Sequence, residues 1–269
     1  MGASTGTETD MDYQTLTLEI ADGVAVITLR RAEVMNALNT QMRAEITHAV
    51  RAAGKAARAL VLTGERRAFC SGQDLGGDGT SVARLDIERT LRDEYVPMLN
   101  AITESPIPTI AAVNGAAAGA GANLALACDV VIASEAAFFQ QAFTRIGLIP
   151  DAGGTWFLPR MVGQARALGA ALFADRITAG QAADWGMIYE AVAEGAFESR
   201  WRERAQALAD GPTETYRHLK AAMAASWGNT LSEQLTVEAR LQGKCGQTRD
   251  FQEGVVAFLE KRPARFEGR

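Results

Sequence analysis

Residues 111–129 read AAVNGAAAGAGANLALACD, and the rest of this 269-residue chain is best interpreted from that stretch. An apolar, β-branched segment over residues 109–113 meets Asn114-Gly115 and is followed by an apolar helical pattern through Leu126. We therefore predict that a buried strand passes directly into a helix. Small residues at the junction let another molecule approach the backbone, where the first N–H groups of a helix lack internal partners. The stretch indicates either an oxyanion-binding turn or tight packing of a buried helix.

The composition predicts one large domain of the α/β class. With 48% hydrophobic and 22% charged residues, the chain can bury a sizeable core. The net charge of -5 gives no basic field for nucleic acid or an anionic membrane. No run approaches the roughly 20 apolar residues of a membrane span. Neither nucleic acid nor a membrane is expected as a partner, and the polar residues 1–11 are expected to form a disordered tail.

The cysteines favour a reducing compartment. Cys70, Cys128 and Cys245 are widely spaced and odd in number, with no Cys-x-x-Cys pair. This spacing indicates neither a disulfide framework nor a zinc site. We expect a cytoplasmic protein without a metal.

Strands and helices alternate before residue 111. Residues 15–20 and 24–29 predict a β-hairpin, and residues 59–63 predict a further strand. A helix over residues 42–53 is predicted to end at Gly54. Its outward-facing charged residues are predicted to be Arg43, Glu45 and Arg51. Residues 65–79 are predicted to form a long flexible loop.

A further helix is predicted from Arg84 to Ser105-Pro106. Its apolar face carries Leu91, Tyr95, Leu99 and Ile102. After the central stretch come two strands (residues 129–133 and 138–141), three helices (near Trp156, over residues 165–173 and over residues 181–184) and an extended segment at residues 187–192. Beyond it only helices are predicted, over residues 197–210, 213–227 and 231–259.

Four motifs carry a family resemblance: FCSGQDL at residues 69–75, VNGAAAGAGANLALACD at 113–129, GLIPDAGGTWFLPR at 147–160 and ITAGQAADWGMI at 177–188. Together they closely resemble the enoyl-CoA hydratase/isomerase family, the crotonase superfamily, over most of residues 12–268. GAAAGAGA followed by GLIPDAGGTW looks most like the phenylacetate-pathway isomerases that convert a ring-epoxidised phenylacetyl-CoA into its oxepin form.

The resemblance implies a crotonase-type spiral of strand-strand-helix repeats followed by C-terminal helices that assemble trimers, often paired into hexamers. The implied organisation is a tail at residues 1–11, an acyl-CoA binding core at 12–195 and a helical oligomerisation subdomain at 196–269. The expected partners are therefore an acyl-CoA thioester and further copies of this chain.

In such enzymes two backbone N–H groups hold the thioester oxygen, and here they fall on Gln73 and Ala120. Charge gathers on that oxygen when the α-carbon loses a proton, and losing one preorganised donor typically costs about 2.7 to 4 kcal/mol. Because the expected donor is the backbone N–H of Gln73, Gln73→Ala is expected to matter far less than Gln73→Pro, which removes that N–H. Taken alone, FCSGQDL would sooner be interpreted as an ordinary solvated turn, and the other motifs beside it favour the oxyanion-binding turn.

Hydratases of the family position a water with two glutamates, which align here with Asn123 and Phe143. Neither residue can act as a base. Asp151 remains, at the position where isomerases of the family carry a carboxylate. Its pKa is expected to be raised by apolar neighbours, namely Phe143, Leu148, Ile149 and Trp156. The alternative role for Asp151 is to cap the helix near Trp156.

The remaining expected contacts follow from the family motifs. Arg31 lies in Arg31-Ala32-Glu33, which lacks the proline usual before the family's Asn-Ala-Leu, and Lys261 lies in the closing segment FLEKRPARFEG. The residues expected to bind the substrate or its CoA are Arg31, Ala68, Ser71, Gly72, Asp74, Leu75, Gly119, Gly121, Asn123, Phe143 and Lys261.

Three other functions stay open. A dinucleotide-binding oxidoreductase is suggested by Gly119-Ala-Gly121, but the third glycine of that fingerprint would fall on Leu124. A non-enzymatic acyl-CoA binding protein would have no use for Asp151. A hydratase or thioester hydrolase using another side chain is the main alternative. The favoured interpretation is an acyl-CoA isomerase with no cofactor beyond the CoA of its substrate.

Overall fold

The computed structural model describes residues 12–76 and 86–269, so the predicted tail, the far end of the predicted loop and Arg84 lie outside the described residues. Its strands form two sheets. The six-stranded sheet has the order β1-β2-β3-β5-β7-β10 and the four-stranded sheet the order β4-β6-β8-β9. The strands are β1 (Leu16–Ala21), β2 (Val24–Leu29), β3 (Ala59–Gly64), β4 (Ala68–Cys70), β5 (Thr109–Val113), β6 (Ala116–Ala118), β7 (Val130–Ser134), β8 (Phe138–Gln140), β9 (Ile177–Thr178) and β10 (Glu190–Val192).

Successive strand pairs divide between the two sheets. β3, β5 and β7 pair in parallel within the large sheet, while β4, β6 and β8 pair in parallel within the small one. Each pair therefore contributes its first strand to one sheet and its second strand to the other. This alternation is the predicted strand-strand-helix spiral, and the predicted N-terminal hairpin is confirmed by the antiparallel pairing of β1 with β2.

The helices connect and cover these sheets. They are α1 (Thr40–Ala56), α2 (Ile87–Thr90), α3 (Val96–Thr103), α4 (Ala120–Leu126), α5 (Gly154–Phe173), α6 (Ala179–Asp184), α7 (Glu194–Ala209), α8 (Thr213–Ser226), α9 (Leu231–Cys245) and α10 (Arg249–Glu260). A π-helical turn, Leu91–Tyr95, joins α2 to α3, and a 3-10 helix spans Ala142–Ile146. The two helical patterns around Trp156 and residues 165–173 form a single α5, kinked at Gly163.

Two predictions about connections are wrong. The central strand β5 does not pass directly into a helix, because β6 lies between β5 and α4. β6 escaped prediction because Ala116–Ala118 has no β-branched residue and takes its strand conformation from pairing with β4 and β8. The first part of the predicted loop likewise contains the strand β4, which is buried throughout.

The two faces of the large sheet pack against different helices. In β3, Leu60 and Leu62 join the core cluster that contains α1 and α3, whereas Val61 joins a second cluster on the other face. The second cluster is completed by Phe197 and Trp201 of α7. The division at residue 195 would group α7 with the oligomerisation helices, yet α7 packs on the core sheet. The boundary itself stays a prediction.

The outward-facing residues predicted for α1 are partly wrong. Arg51 is exposed, but Arg43 is only 2% exposed and Glu45 only 5%. Glu45 accepts hydrogen bonds from the backbone N–H of Thr15 and from its hydroxyl. Charged side chains are buried when partners satisfy them, and here those partners come from distant parts of the chain.

The C-terminal region is helical, as predicted, but residues 231–259 form two helices. α9 ends at Cys245, and Thr248 begins α10 by accepting the backbone N–H of Phe251 with its side chain. Among the helices of the described residues, none combines the length and the hydropathy needed to cross a bilayer.

Candidate active site

The first half of the site is the turn after β4. Gly72 has φ +97°, a conformation that L side chains rarely adopt. Leu38 pairs with Gln73 in a parallel bridge: the N–H of Leu38 donates to Gly72 O (2.7 Å), and the N–H of Asp74 donates to Leu38 O (3.1 Å). In such a bridge the neighbours of Gln73 face Leu38, so the N–H of Gln73 itself faces the opposite side.

The second half is the start of α4. Gly119 (φ +52°) ends β6, and its N–H donates to the main-chain oxygen of Gln140 over 2.8 Å. Ala120 is the first residue of α4, so its N–H has no acceptor within the helix. This N–H is the second predicted donor.

The two halves touch at Gly72. A Cβ placed on Gly72 would lie 2.9 Å from Ala118 O and 3.3 Å from Ala120 N. The absence of a side chain therefore lets the turn after β4 sit directly beside the first amide of α4. Gln73 and Ala120 both line the same cavity, of about 660 Å³. Backbone amides that border one cavity are the type of donor that an oxyanion hole uses.

Asp151 lies in the loop before α5, across the same cavity. It is not a helix cap: the N-cap of α5 is Gly153, and no side chain caps that helix. Burial raises the pKa of the Asp151 carboxyl to about 6, opposed in part by a hydrogen bond from its own backbone. Its Oδ1 is buried without a hydrogen-bond partner among the described residues. Asp151 thus borders the cavity and carries one carboxyl oxygen that no described residue hydrogen-bonds.

Asn123 supports the loop that carries Asp151 through a hydrogen bond to its main chain. The side-chain Nδ2 of Asn123 donates to the main-chain oxygen of Asp151 (2.7 Å), and its Oδ1 accepts from Nε2 of Gln141 (2.8 Å). Asn123 is fully buried and lines neither cavity described here. The structure therefore does not place Asn123 in contact with the cavity, because its amide is occupied by the main chain of Asp151 and by Gln141.

A second cavity, of about 340 Å³, adjoins the first. Asp151 and Tyr95 line both, so the carboxylate stands at their junction. Apolar side chains dominate the shared walls. They are Ile87, Leu91 and Leu148, with Val96, Leu99, Ile149 and Pro150 in the smaller cavity.

Eight of the fourteen predicted site residues meet around the larger cavity: Ser71, Gly72, Gln73, Leu75, Gly119, Ala120, Phe143 and Asp151. The other six do not line it. Ala68 is buried in β4, and Gly121 packs so closely on the backbone of Cys70 that a Cβ would clash with it. Arg31 and Asp74 form an ion pair with each other (2.8 Å). The last two are Asn123, which is hydrogen-bonded to the main chain of Asp151, and Lys261, which is exposed at the end of α10.

The expected surroundings of Asp151 need one correction. Phe143 and Leu148 line the cavity with it, and Ile149 lines the smaller one although it is 77% exposed. Trp156 is 45% exposed and lines neither cavity, because it points from the outer side of α5. The side chains of the turn Leu91–Tyr95 supply the remaining cover.

Sequence reasoning missed two groups of cavity residues. Leu91 and Tyr95 were placed on one apolar face of a helix, and that face is the cavity wall. Arg145 and Ile146 follow Phe143 in a 3-10 helix whose position depends on folding. Periodicity could have suggested the first group, whereas no local pattern marks the second.

Comparison with known proteins agrees with this geometry. The family model described as "Enoyl-CoA hydratase/isomerase" matches residues 19–269. A "Probable enoyl-CoA hydratase" of Rhodobacter capsulatus is 61% identical over 96% of this chain and 100% of its own, and the "1,2-epoxyphenylacetyl-CoA isomerase" of Escherichia coli is 41% identical over 93% and 97%. A crystal structure titled as a putative enoyl-CoA hydratase from Streptomyces coelicolor superposes with a TM-score of 0.90 at 36% identity, covering 100% of both chains. The spiral of paired strands and these matches together show that the chain belongs to the enoyl-CoA hydratase/isomerase family.

Proposed function

We propose that this enzyme is an acyl-CoA isomerase that uses one carboxylate as a proton shuttle. Asp151 is the only carboxylate that the described residues contribute to either cavity. That observation carries the proposal. One positioned base is sufficient to move a proton between two carbons. Adding water to a double bond, by contrast, requires a pair of carboxylates in hydratases of this family.

The proposed reaction passes through one enolate, which forms by loss of a proton and is then protonated at another carbon. Asp151 takes a proton from the α-carbon of the thioester, and the electron pair moves onto the thioester oxygen, where the N–H groups of Gln73 and Ala120 stabilise it. For a β,γ-unsaturated acyl group the double bond then moves to the α,β position. Protonated Asp151 returns its proton to the γ-carbon, so the enzyme ends unchanged.

The raised pKa of Asp151 suits this role. A carboxyl with a pKa of about 6 is mostly ionised at neutral pH, yet it is a stronger base than an ordinary aspartate. The same shift lets it hold the proton until the γ-carbon receives it. Burial in the apolar cavity supplies the shift, and Asn123 supplies the orientation.

Hydration is the second candidate, because the Rhodobacter capsulatus relative is named as a probable hydratase. Against it, Phe143 lines the cavity at one glutamate position, and both amide atoms of Asn123 at the other are occupied. Hydrolysis through a cysteine has less support still: burial raises the pKa of Cys70 to about 12, so its thiol stays protonated.

The acyl group we propose is apolar and unsaturated, either a ring-epoxidised phenylacetyl group or a linear chain. The apolar walls around Leu91 and Leu148 support it, and the name of the Escherichia coli relative favours the aromatic form. The test is a panel of CoA thioesters containing ring-epoxidised phenylacetyl-CoA and linear 3-enoyl-CoAs, with products identified by mass spectrometry. Conversion of neither class, or hydrated products alone, would refute the isomerase assignment.

We also propose that the chain assembles as a trimer or a pair of trimers. α10 presents Phe258 and Leu259, which are 82% and 73% exposed, and Val255 and Val256 are more than 40% exposed beside them. An apolar helix face of this extent is typical of an interface. Lys261 lies at the end of the same helix, and its contact with CoA, in its own or a neighbouring subunit, stays a prediction.

A further inference from the structure

The side chain of Gln73 is held at both ends. Its Oε1 accepts two hydrogen bonds, from Nη1 of Arg43 (2.8 Å) and from the hydroxyl of Tyr95 (2.8 Å). Its Nε2 donates to the main-chain oxygen of Asp74 (3.1 Å). Both ends of the side-chain amide are therefore hydrogen-bonded, and they restrain the residue whose backbone N–H is the predicted donor.

Arg43 donates hydrogen bonds to both residues of the Leu38–Gln73 bridge that forms this turn. Besides Gln73, its Nη1 donates to the main-chain oxygen of Leu38 over 2.7 Å, and Leu38 is the bridge partner of Gln73. The guanidinium is 2% exposed, so its charge needs a partner. Glu94 is that partner, accepting from Nε at 2.9 Å.

Glu94 and Tyr95 are neighbours at the end of the π-helical turn Leu91–Tyr95. Both reach Arg43: Glu94 by its carboxylate, and Tyr95 by its ring, whose centroid lies 4.8 Å from the guanidinium carbon. π-turns recur at functional sites because they redirect consecutive side chains. Tyr95 also lines the acyl cavities, so one side chain contacts the Gln73 turn and the cavity wall.

We infer that Arg43, Glu94 and Tyr95 form a positioning cluster that aims the backbone N–H of Gln73 at the thioester oxygen. The inference rests on the proposed function, since it assumes that this N–H is an oxyanion donor. If Oε1 were removed, the charge-assisted hydrogen bond from Arg43 and the hydrogen bond from Tyr95 would both be lost, and the turn would lose these two restraints. Gln73 thus contributes through its side chain as well as its backbone, contrary to the expectation from sequence.

The inference can be tested with phenylacetyl-CoA carrying carbon-13 at its thioester carbonyl. This probe has α-protons but no double bond to move. Its carbonyl stretching frequency, measured by infrared difference spectroscopy when bound, reports hydrogen bonding at the oxygen. Exchange of its α-protons in deuterium oxide reports enolate formation. The variants are Tyr95→Phe, which removes one hydroxyl, and Arg43→Met, which removes the guanidinium.

We expect both variants to shift the bound carbonyl frequency back towards its free value. Exchange should slow by about tenfold to a hundredfold, less than the hundred- to thousandfold typical of losing a whole donor. The dissociation constant of phenylacetyl-CoA should change less than threefold. The matched control is Arg92→Met, which removes an exposed arginine paired with Glu88 on the same helical segment, and it should leave frequency and exchange unchanged.

A carbonyl frequency at the wild-type value in a folded Tyr95→Phe enzyme would overturn the inference. If wild-type protein itself does not shift the carbonyl on binding, the oxyanion hole is misplaced and the proposed function fails first. If Arg43→Met does not fold, Glu94→Gln replaces it. The amide oxygen of glutamine still accepts a hydrogen bond from Arg43, so we expect only a small shift of the bound carbonyl frequency. A shift as large as that caused by Gln73→Pro would contradict positioning through hydrogen bonds.

Discussion

The side chain of Asn123 donates a hydrogen bond to the main-chain oxygen of Asp151 over 2.7 Å. The contact joins the interior of α4, which also provides the Ala120 amide, to the loop that carries the carboxylate. A single short helix therefore fixes one oxyanion donor and supports the base. Since Gln141 occupies the other end of the Asn123 amide, the contact has one possible orientation that satisfies both partners.

Asn123→Leu should test this support, because leucine keeps the branched shape and the number of side-chain heavy atoms and removes both hydrogen bonds. We expect turnover to fall about tenfold or more through misplacement of Asp151. The dissociation constant of an unreactive acyl-CoA should remain close to that of wild type. Steady-state kinetics and calorimetric titration measure the two quantities, with Asn100→Leu, at an exposed position of α3, as the control. Equal losses in both variants would indicate a general effect on stability.

Asp151→Asn should lower turnover by at least about a hundredfold, the low end for a positioned base. It should leave acyl-CoA affinity nearly intact, since the amide has the same shape. Single-turnover kinetics on a linear 3-enoyl-CoA gives the rate. Turnover near the wild-type value would remove Asp151 from the mechanism.

The same substitution should affect stability with a defined sign. The folded pKa of Asp151 is raised to about 6 from an ordinary value of 3.8, so between these values the folded state binds more protons than the unfolded state. Wild-type stability therefore falls as pH rises through this window. We expect Asp151→Asn to have a higher melting temperature than wild type at pH 7 and a smaller difference at pH 4. A lower melting temperature than wild type at pH 7 would contradict a desolvated carboxylate.

Activity should depend on pH in the opposite direction. The base must be ionised, so kcat/KM should rise with pH and level off above about pH 6. Rates measured from pH 4.5 to 8 locate the midpoint. A midpoint near pH 4 would show that the carboxyl is solvated in the working enzyme.

Oxygen-18 water separates isomerisation from hydration. A linear β,γ-unsaturated acyl-CoA should yield its α,β isomer without label, because Phe143 and Asn123 leave no pair of carboxylates to position water. Mass spectrometry of the products gives the result. Labelled 3-hydroxyacyl-CoA that forms as fast as the isomer would establish the hydratase.

Light scattering at micromolar concentration should give the mass of three or six chains. Phe258→Glu places a charge on the most exposed aromatic position of α10 and should lower that mass. Glu260→Gln, on the same helix, is the control. A wild-type monomer, or an assembly unaffected by Phe258→Glu, would exclude the α10 face as the interface.

Much of the site could be predicted because its geometry is local. Gly72 and Gly119 adopt positive φ angles, and both lie in the glycine-containing motifs that carry the family resemblance. That resemblance assigned the two backbone donors to Gln73 and Ala120, although the short strands before them were not predicted. It also assigned the base to Asp151, just before the Gly153-Gly154 pair that starts α5.

The errors occurred where long-range contacts decide the outcome. Helical periodicity placed Arg43 in solvent, yet Leu38, Gln73 and Glu94 bury and satisfy it. Asn123 was assigned to the substrate, although its partners lie 18 and 28 residues further along the chain. A sequence pattern reports which face of an element is apolar, but it does not report which distant polar group that face meets.

The sequence by itself determined most of the strands and helices and the glycine turns, and its family motifs pointed to Asp151. Helices, strands and turns depend largely on the conformational limits of each residue and on its nearest neighbours. Only the tertiary structure decided that burial desolvates the Asp151 carboxyl and that Gly153, not Asp151, occupies the N-cap position of α5. It also decided that Tyr95 connects the cavity wall to Gln73. The pKa of a carboxyl and the aim of an N–H depend on what surrounds them in space, and those surroundings exist only when segments far apart in the chain have folded together.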